Sequence, residues 1–213
     1  MASVDAFVIL DTVQYVKREW QNRALIMNRA KVLFWLTVPV FNRGRFNQSI
    51  NKVAIDNSQS WQRKHWQSLS YSYAKAPGWA NAESSLRPIY QSNWGNLADL
   101  DLAAFEQVAL LLGITTPIVR ASSLLTSGQR NELLINICRE MGADSYLSGR
   151  GGLSYLEKEL FTNAGLTLFV QSNRAVDYVL EGDSPANLSM LHWLASAGPE
   201  FARSLLSRQY EEV

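Results

Sequence analysis

The sequence predicts an α/β fold: a mainly parallel sheet flanked by helices, in a single domain over residues 1–213. Three observations carry this expectation. Strand-type apolar runs, helical stripes and punctuating glycines alternate between residues 99 and 170, which is the rhythm of βα crossover units. No Gly/Ser/Pro-rich linker, internal repeat or heptad divides the chain. Finally, 213 residues with an apolar share of 47% suffice for one good-sized core.

Phe7–Leu10 reads as a buried strand closed by Asp11. From Asp11 to Arg23 neither period holds and long polar side chains crowd together, so a loop with short helical turns is expected. Val32–Val38 is a second strand, stopped by Pro39. Ser49–Ile55 reads as a third, partly polar strand. Asp56 or Ser58 caps a helix beginning near Ser60, in which Trp61, His65, Leu69 and Tyr73 recur at spacing four. Pro77-Gly78 ends it. Residues 80–94 form a further helix or an irregular arm. Asp99 or Asp101 opens a helix with Leu102, Phe105, Val108, Ala109 and Leu112 on one stripe, stopped by Gly113.

Ile114–Val119 is a short strand. Residues 128–141 are helical, with Leu134, Cys138 and Met141 inward, and Ser145–Leu147 leads into a glycine-rich turn. Ser154–Asn163 is helical, Leu166–Val170 a strand, and Leu188–Ala197 a last helix.

Composition excludes several classes. Lys and Arg number 20 against 19 Asp and Glu, a net charge of +1, so no strongly basic nucleic-acid module is indicated. One cysteine excludes an internal disulfide framework. Two histidines and that cysteine cannot supply a usual zinc set; a carboxylate-bound metal stays open, and neither a metal site nor a cofactor is assigned. The apolar runs are strand-sized, so neither a signal segment nor membrane insertion is expected, and the cytoplasm is the default. The near-neutral total hides an asymmetry. Residues 1–75 hold eleven basic and four acidic side chains, whereas residues 76–213 hold nine basic and fifteen acidic ones. Such a first third can focus field on an anionic small molecule, or its charges are simply surface partners of the remainder.

Three constellations carry chemistry. Gln14, Lys17, Asn22 and Arg23 follow the first strand and suit a polyol, phosphate or carboxylate, while Arg18 and Glu19 read as a surface pair. Leu147-Ser-Gly-Arg-Gly-Gly152 stands at a strand exit, where α/β sheets bind ligands. Its Ser148, Gly149, Arg150 and Gly151 are either ligand contacts or a tight turn. Lys17, Arg23 and Arg150 are expected to converge on one anion. Asp11, at a strand end, is a catalytic carboxylate or a turn cap. His65 is a general base or a core histidine. Cys138 reads as packing.

The stretch Phe7-Val-Ile-Leu-Asp-Thr-Val-Gln-Tyr-Val-Lys-Arg-Glu-Trp-Gln-Asn-Arg23 is followed by Trp35-Leu-Thr-Val-Pro-Val40, then Ile55-Asp-Asn57 with Trp61-Gln-Arg-Lys-His65. Thr116-Pro-Ile-Val-Arg-Ala-Ser-Ser123 and Gly142-Ala-Asp-Ser-Tyr-Leu-Ser-Gly-Arg-Gly-Gly152 come later. In this order the segments resemble the WbqC-like protein family. The resemblance implies a bacterial protein of gene clusters for lipopolysaccharide O-antigen and other surface polysaccharides. It implies a functional set of Asp11, Gln14, Lys17, Asn22, Arg23, Asp56, Lys64, His65, Ser148, Gly149 and Gly151, with Asp56 beside Asp11 and His65 as catalytic candidates. The family pattern opens with a strand and loop that this chain starts after. An unpaired edge or a shallow open cleft beside Phe7–Leu10 is therefore expected, and edge pairing is a route to a homo-oligomer.

The function expected is a biosynthetic transferase modifying a nucleotide-activated amino sugar, with His65 removing a proton from the attacking amine or hydroxyl. The alternatives are a non-catalytic nucleotide- or glycan-binding protein of the same pathway, or a structural partner in a biosynthetic complex.

Overall fold

Helix outweighs strand among the described residues, 46% against 18%. The structure, a computed structural model, describes residues 1–171, 188–206 and 210–213. Its strands make three small open sheets. In the first, β1 (Phe7–Ile9) runs parallel to β4 (Ile118–Arg120). In the second, β2 (Arg23–Met27) is antiparallel to β3 (Leu33–Thr37). In the third, β5 (Ser145–Ser148) is parallel to β6 (Thr167–Gln171), which pairs antiparallel with β7 (Tyr210–Glu212).

The expected mainly parallel sheet flanked by helices is therefore corrected. The rhythm between residues 99 and 170 found real strands, but Ile118–Arg120 pairs with β1 instead of joining β5 and β6. The described strands are three to five residues long and pair only in twos and threes, so no wide sheet forms among them. Ser49–Ile55 forms no strand. It makes a 3-10 turn at Ile50–Lys52, and Val53 and Ile55 are buried with single bridges at Ile55 and Ala54 in place of a ladder.

The helices are α1 (Trp61–Tyr73), α2 (Trp79–Gln91), α3 (Leu97–Leu111), α4 (Arg130–Glu140), α5 (Lys158–Asn163), α6 (Met190–Ala197) and α7 (Pro199–Ser204). The chain divides into two compact units. One comprises Met1–Leu10, Thr116–Gly182 and Leu206–Val213; the other comprises Asp11–Thr115 and Asp183–Leu205.

The second unit owes its core to spacing four. Trp61, His65, Leu69 and Tyr73 are all buried on one face of α1, which packs with Trp79, Leu86 and Ile89 of α2 and Leu97 and Leu100 of α3. Helices here bury their stripes largely in one another, which is why the unit needs no broad sheet. Asn96, one residue ahead of α3, accepts the Ala98 N–H at 2.8 Å and caps that helix, the role expected of Asp99 or Asp101. The Tyr73 hydroxyl meets His192 Nδ1 of α6 at 2.9 Å, tying the far end of α1 into the same core.

In the first unit, Leu134, Ile135 and Cys138 of α4 pack with Phe161 of α5 and with Leu166 and Leu168. Burial pushes the Cys138 thiol up to about 11, so almost no thiolate exists at neutral pH. Native protein is therefore expected to react with a bulky thiol reagent far more slowly than the unfolded chain. Equal rates would contradict the packing role.

Candidate functional site

The loop after Asp11 and the strand edge after β3 enclose a cleft of about 390 Å³ in the second unit. Two local devices shape it. Asn22, buried in a 3-10 turn at Trp20–Asn22, donates through Nδ2 to the Val38 carbonyl at 2.8 Å, and the Val38 N–H donates back to the Asn22 carbonyl at 2.8 Å. The β2–β3 register then sets Arg23 opposite Thr37. One wall is thus Asn22 and Arg23, and the other runs from Thr37 to Val40, with Tyr15 and Asn42 beside them.

Lys17, Arg18 and Arg23 supply three cations to this lining, and among the described residues no carboxylate belongs to it. Arg18 holds φ at 67°, a left-handed conformation that costs a non-glycine residue energy and recurs at functional sites. The Arg23 guanidinium lies 4.0 Å from the centre of the Trp35 ring. Among the described residues its Nε is buried without a hydrogen-bond partner, and so is Asn22 Oδ1. A donor and an acceptor left unpaired in one wall each cost about 1–3 kcal/mol. A ligand offering both an anionic oxygen and an O–H or N–H can recover that cost.

Burial holds the Tyr15 phenol above its ordinary range, against a hydrogen bond from Asn42 and the charge of Arg23. Asp101 of α3 acts on the same hydroxyl, and burial pushes its own carboxyl up to about 8. At neutral pH it is mostly uncharged. The same shift fixes a pH dependence. The folded state keeps a proton on Asp101 that the unfolded chain, at about 3.8, has already lost. This stability is fully present below the unfolded value and disappears as pH rises through about 8. Asp101→Asn is expected to flatten the decline in denaturation midpoint between about pH 5 and about pH 8. An unchanged slope would remove Asp101 as its source.

Of the residues singled out from sequence, Lys17, Asn22 and Arg23 come together in this cleft. Arg18, read as a surface partner of Glu19, lines it too. Gln14 does not line it and donates to Asn47 Oδ1 at 3.2 Å. Asp56 caps the 3-10 turn at Asn57–Gln59. Hydrogen bonds from Ser58 and Gln59 hold its carboxyl below the usual range, and through the 2.7 Å bond it orients Gln59, which does reach the cleft. His65 lies one layer back: its Nε2–H donates to the Thr37 carbonyl at 3.0 Å, with the ring against Trp61 and Tyr90. Burial depresses its pKa, so the ring is neutral. Lys64 is exposed on α1. Asp11 is almost fully buried, and its carbonyl accepts the Asn51 N–H at 2.8 Å.

Ser148, Gly149, Arg150 and Gly151 belong to the first unit. Ser148 is buried with its hydroxyl on the Gly149 carbonyl at 2.9 Å. Gly149 and Gly151 face open space, whereas a Cβ on Gly152 would stand 2.1 Å from Ser148 Oγ. The chain then makes a 3-10 turn at Arg150–Ser154, and α5 starts only at Lys158. The helix expected from Ser154 therefore does not follow the glycines directly. Tyr15, Asn42 and Gln59 were not singled out from sequence; they reach the cleft by tertiary packing and carry no local signature, and Asp101 acts on it only through its charge effect on Tyr15.

Among the described residues, no three His, Cys, Asp or Glu side chains group to hold a metal ion, and no helix is long and apolar enough to cross a membrane.

The structure thus sets a cationic, amide-lined cleft in a unit of mixed α and β structure. The chain belongs to the WbqC-like protein family, which it matches over residues 1–204. It is 35% identical over 165 residues to "Uncharacterized protein Rv1507c" of Mycobacterium tuberculosis, an alignment covering 76% of this chain and 69% of that protein. No solved structure matches the chain.

Proposed function

We propose that the protein is a transferase of surface-polysaccharide biosynthesis that holds the phosphates of a nucleotide-activated amino sugar in the cleft around Lys17, Arg18 and Arg23. The observation behind this reading is the lining itself, which among the described residues carries three cations, three amides and no carboxylate. A guanidinium matches two phosphate oxygens with its planar fork, and Lys17 adds a point charge. Asn22 Oδ1, unpaired and buried, needs a donor such as a sugar hydroxyl or amine. For transfer, the attacking group must lose a proton. His65 is the base in this reading, with Nδ1 as its basic nitrogen because Nε2 carries the proton that it donates in the hydrogen bond to the Thr37 carbonyl.

That same commitment, together with the burial of the ring, favours a second reading: a nucleotide- or glycan-binding protein of the same pathway without a reaction of its own. Calorimetry and product analysis with a panel of nucleotides and nucleotide-sugars separate the two. Turnover supports transfer, binding without turnover supports the second reading, and silence from every ligand overturns both.

A further inference from the structure

Beside the cleft, two large aromatic side chains stay in water. Trp20, in the turn that carries Asn22, is 51% exposed, and Trp35 of β3 is 37% exposed. Their ring centres are 4.8 Å apart at an interplanar angle of 61°, an edge-to-face pair. Trp35 also carries the Arg23 guanidinium on its ring, and Arg23 is a wall of the cleft. Trp20, Trp35 and Arg23 are thus one continuous surface, apolar at one end and cationic at the other.

The strand register gives this surface its length. Arg23 pairs with Thr37 at the cleft, and the next rung on the same face pairs Leu25 with Trp35. Two residues of strand separate those rungs by about 7 Å. That offset is comparable with the one between a nucleobase and its 5′ phosphates. Leaving two indoles exposed forgoes their burial, and the arrangement is explained when a flat ring covers them.

We infer that Trp20 and Trp35 are the stacking platform for the base of a nucleoside diphosphate whose phosphates occupy the adjoining cleft. The inference rests on the anion reading of that cleft and adds the class of the remaining part of the ligand. Stacking on indole tolerates any base, so selectivity among bases is expected to be weak.

The test is calorimetric titration of the full chain with UDP, inorganic pyrophosphate and glucose 1-phosphate, repeated on Trp20→Ala and Trp20→Phe. Trp20 is exposed and does not line the cleft, so its truncation leaves the phosphate contacts in place. UDP is expected to bind tighter than pyrophosphate by about tenfold or more, and Trp20→Ala to remove about that factor for UDP alone, since stacking of one base is of this size. Trp20→Phe keeps an aromatic face and should retain most of the UDP affinity. Equal binding of UDP and pyrophosphate overturns the platform while leaving the cleft as an anion site. So does a Trp20→Ala variant that weakens all three probes alike. A loss for glucose 1-phosphate equal to that for UDP would assign the indoles to a sugar ring and overturn the base. Failure of all three probes to bind the parent protein overturns the cleft reading and the platform with it.

Discussion

Arg23→Ala is expected to weaken binding of a phosphate-bearing ligand by about 2–5 kcal/mol, with the fold intact. Arg23 is half-buried between the cleft and the Trp35 ring, so its truncation removes a charge that water cannot easily replace. Lys17 and Arg18 remain, but both are exposed and their charges are screened. Arg23→Lys is expected to recover only part of the loss, because an ammonium lacks the planar fork and does not layer on indole in the same way. The check is calorimetry with pyrophosphate, with circular dichroism to confirm the fold. Alanine binding within about twofold of the parent would show that the anion does not contact Arg23.

Gly78→Ala is expected to destabilise the protein by at least about 3 kcal/mol, at the upper end for forced overpacking. Gly78 stands immediately before α2, where the chain crosses the end of α6. A Cβ there would lie 2.0 Å from the Leu194 carbonyl oxygen and 2.4 Å from the Gly198 nitrogen. Both are backbone atoms, so no rotamer change relieves the clash. Gly198 itself adopts φ 93°, which a side chain tolerates poorly. Chemical denaturation measures the effect, and a change below about 1 kcal/mol would mean that the helices part more easily than their close approach implies.

Gly78 also illustrates what the sequence discloses. Next to Pro77 it reads as a helix stop, and α1 does end before it, at Tyr73. Its closer constraint, contact with Leu194 and Gly198, lies more than a hundred residues away and leaves no local trace. The same division holds throughout. Helix α1 was legible because apolar residues at spacing four have one physical reading. Strands β1, β3, β5 and β6 were legible as apolar runs, and the βα rhythm carried the parallel pairing of β5 with β6; the partners of β1 and β3 were not legible, since a short strand does not encode its neighbour. Strand β2 carries no clear strand signal because it opens on Arg23 directly after the polar Gln21 and Asn22, and Ser49–Ile55 mimics a strand while burying only Val53 and Ile55.

In the site, Lys17, Asn22 and Arg23 stood out because no hydrophobic period explains so many long polar side chains. The opposite wall did not, because Thr37 and Val38 arrive through the β2–β3 register. Asp101 carries no signal either. Its sequence position suggests a helix start, and only tertiary burial turns it into a carboxyl titrating at about 8.

The central claim is that the anion sits between Arg23 and the edge after β3. Backbone amide chemical shifts, followed while pyrophosphate is titrated into the protein, test it most directly. The largest changes are expected over residues 17–23 and 37–42, saturating together with a single affinity. Changes confined to residues 148–152, or no saturable change anywhere, would contradict it.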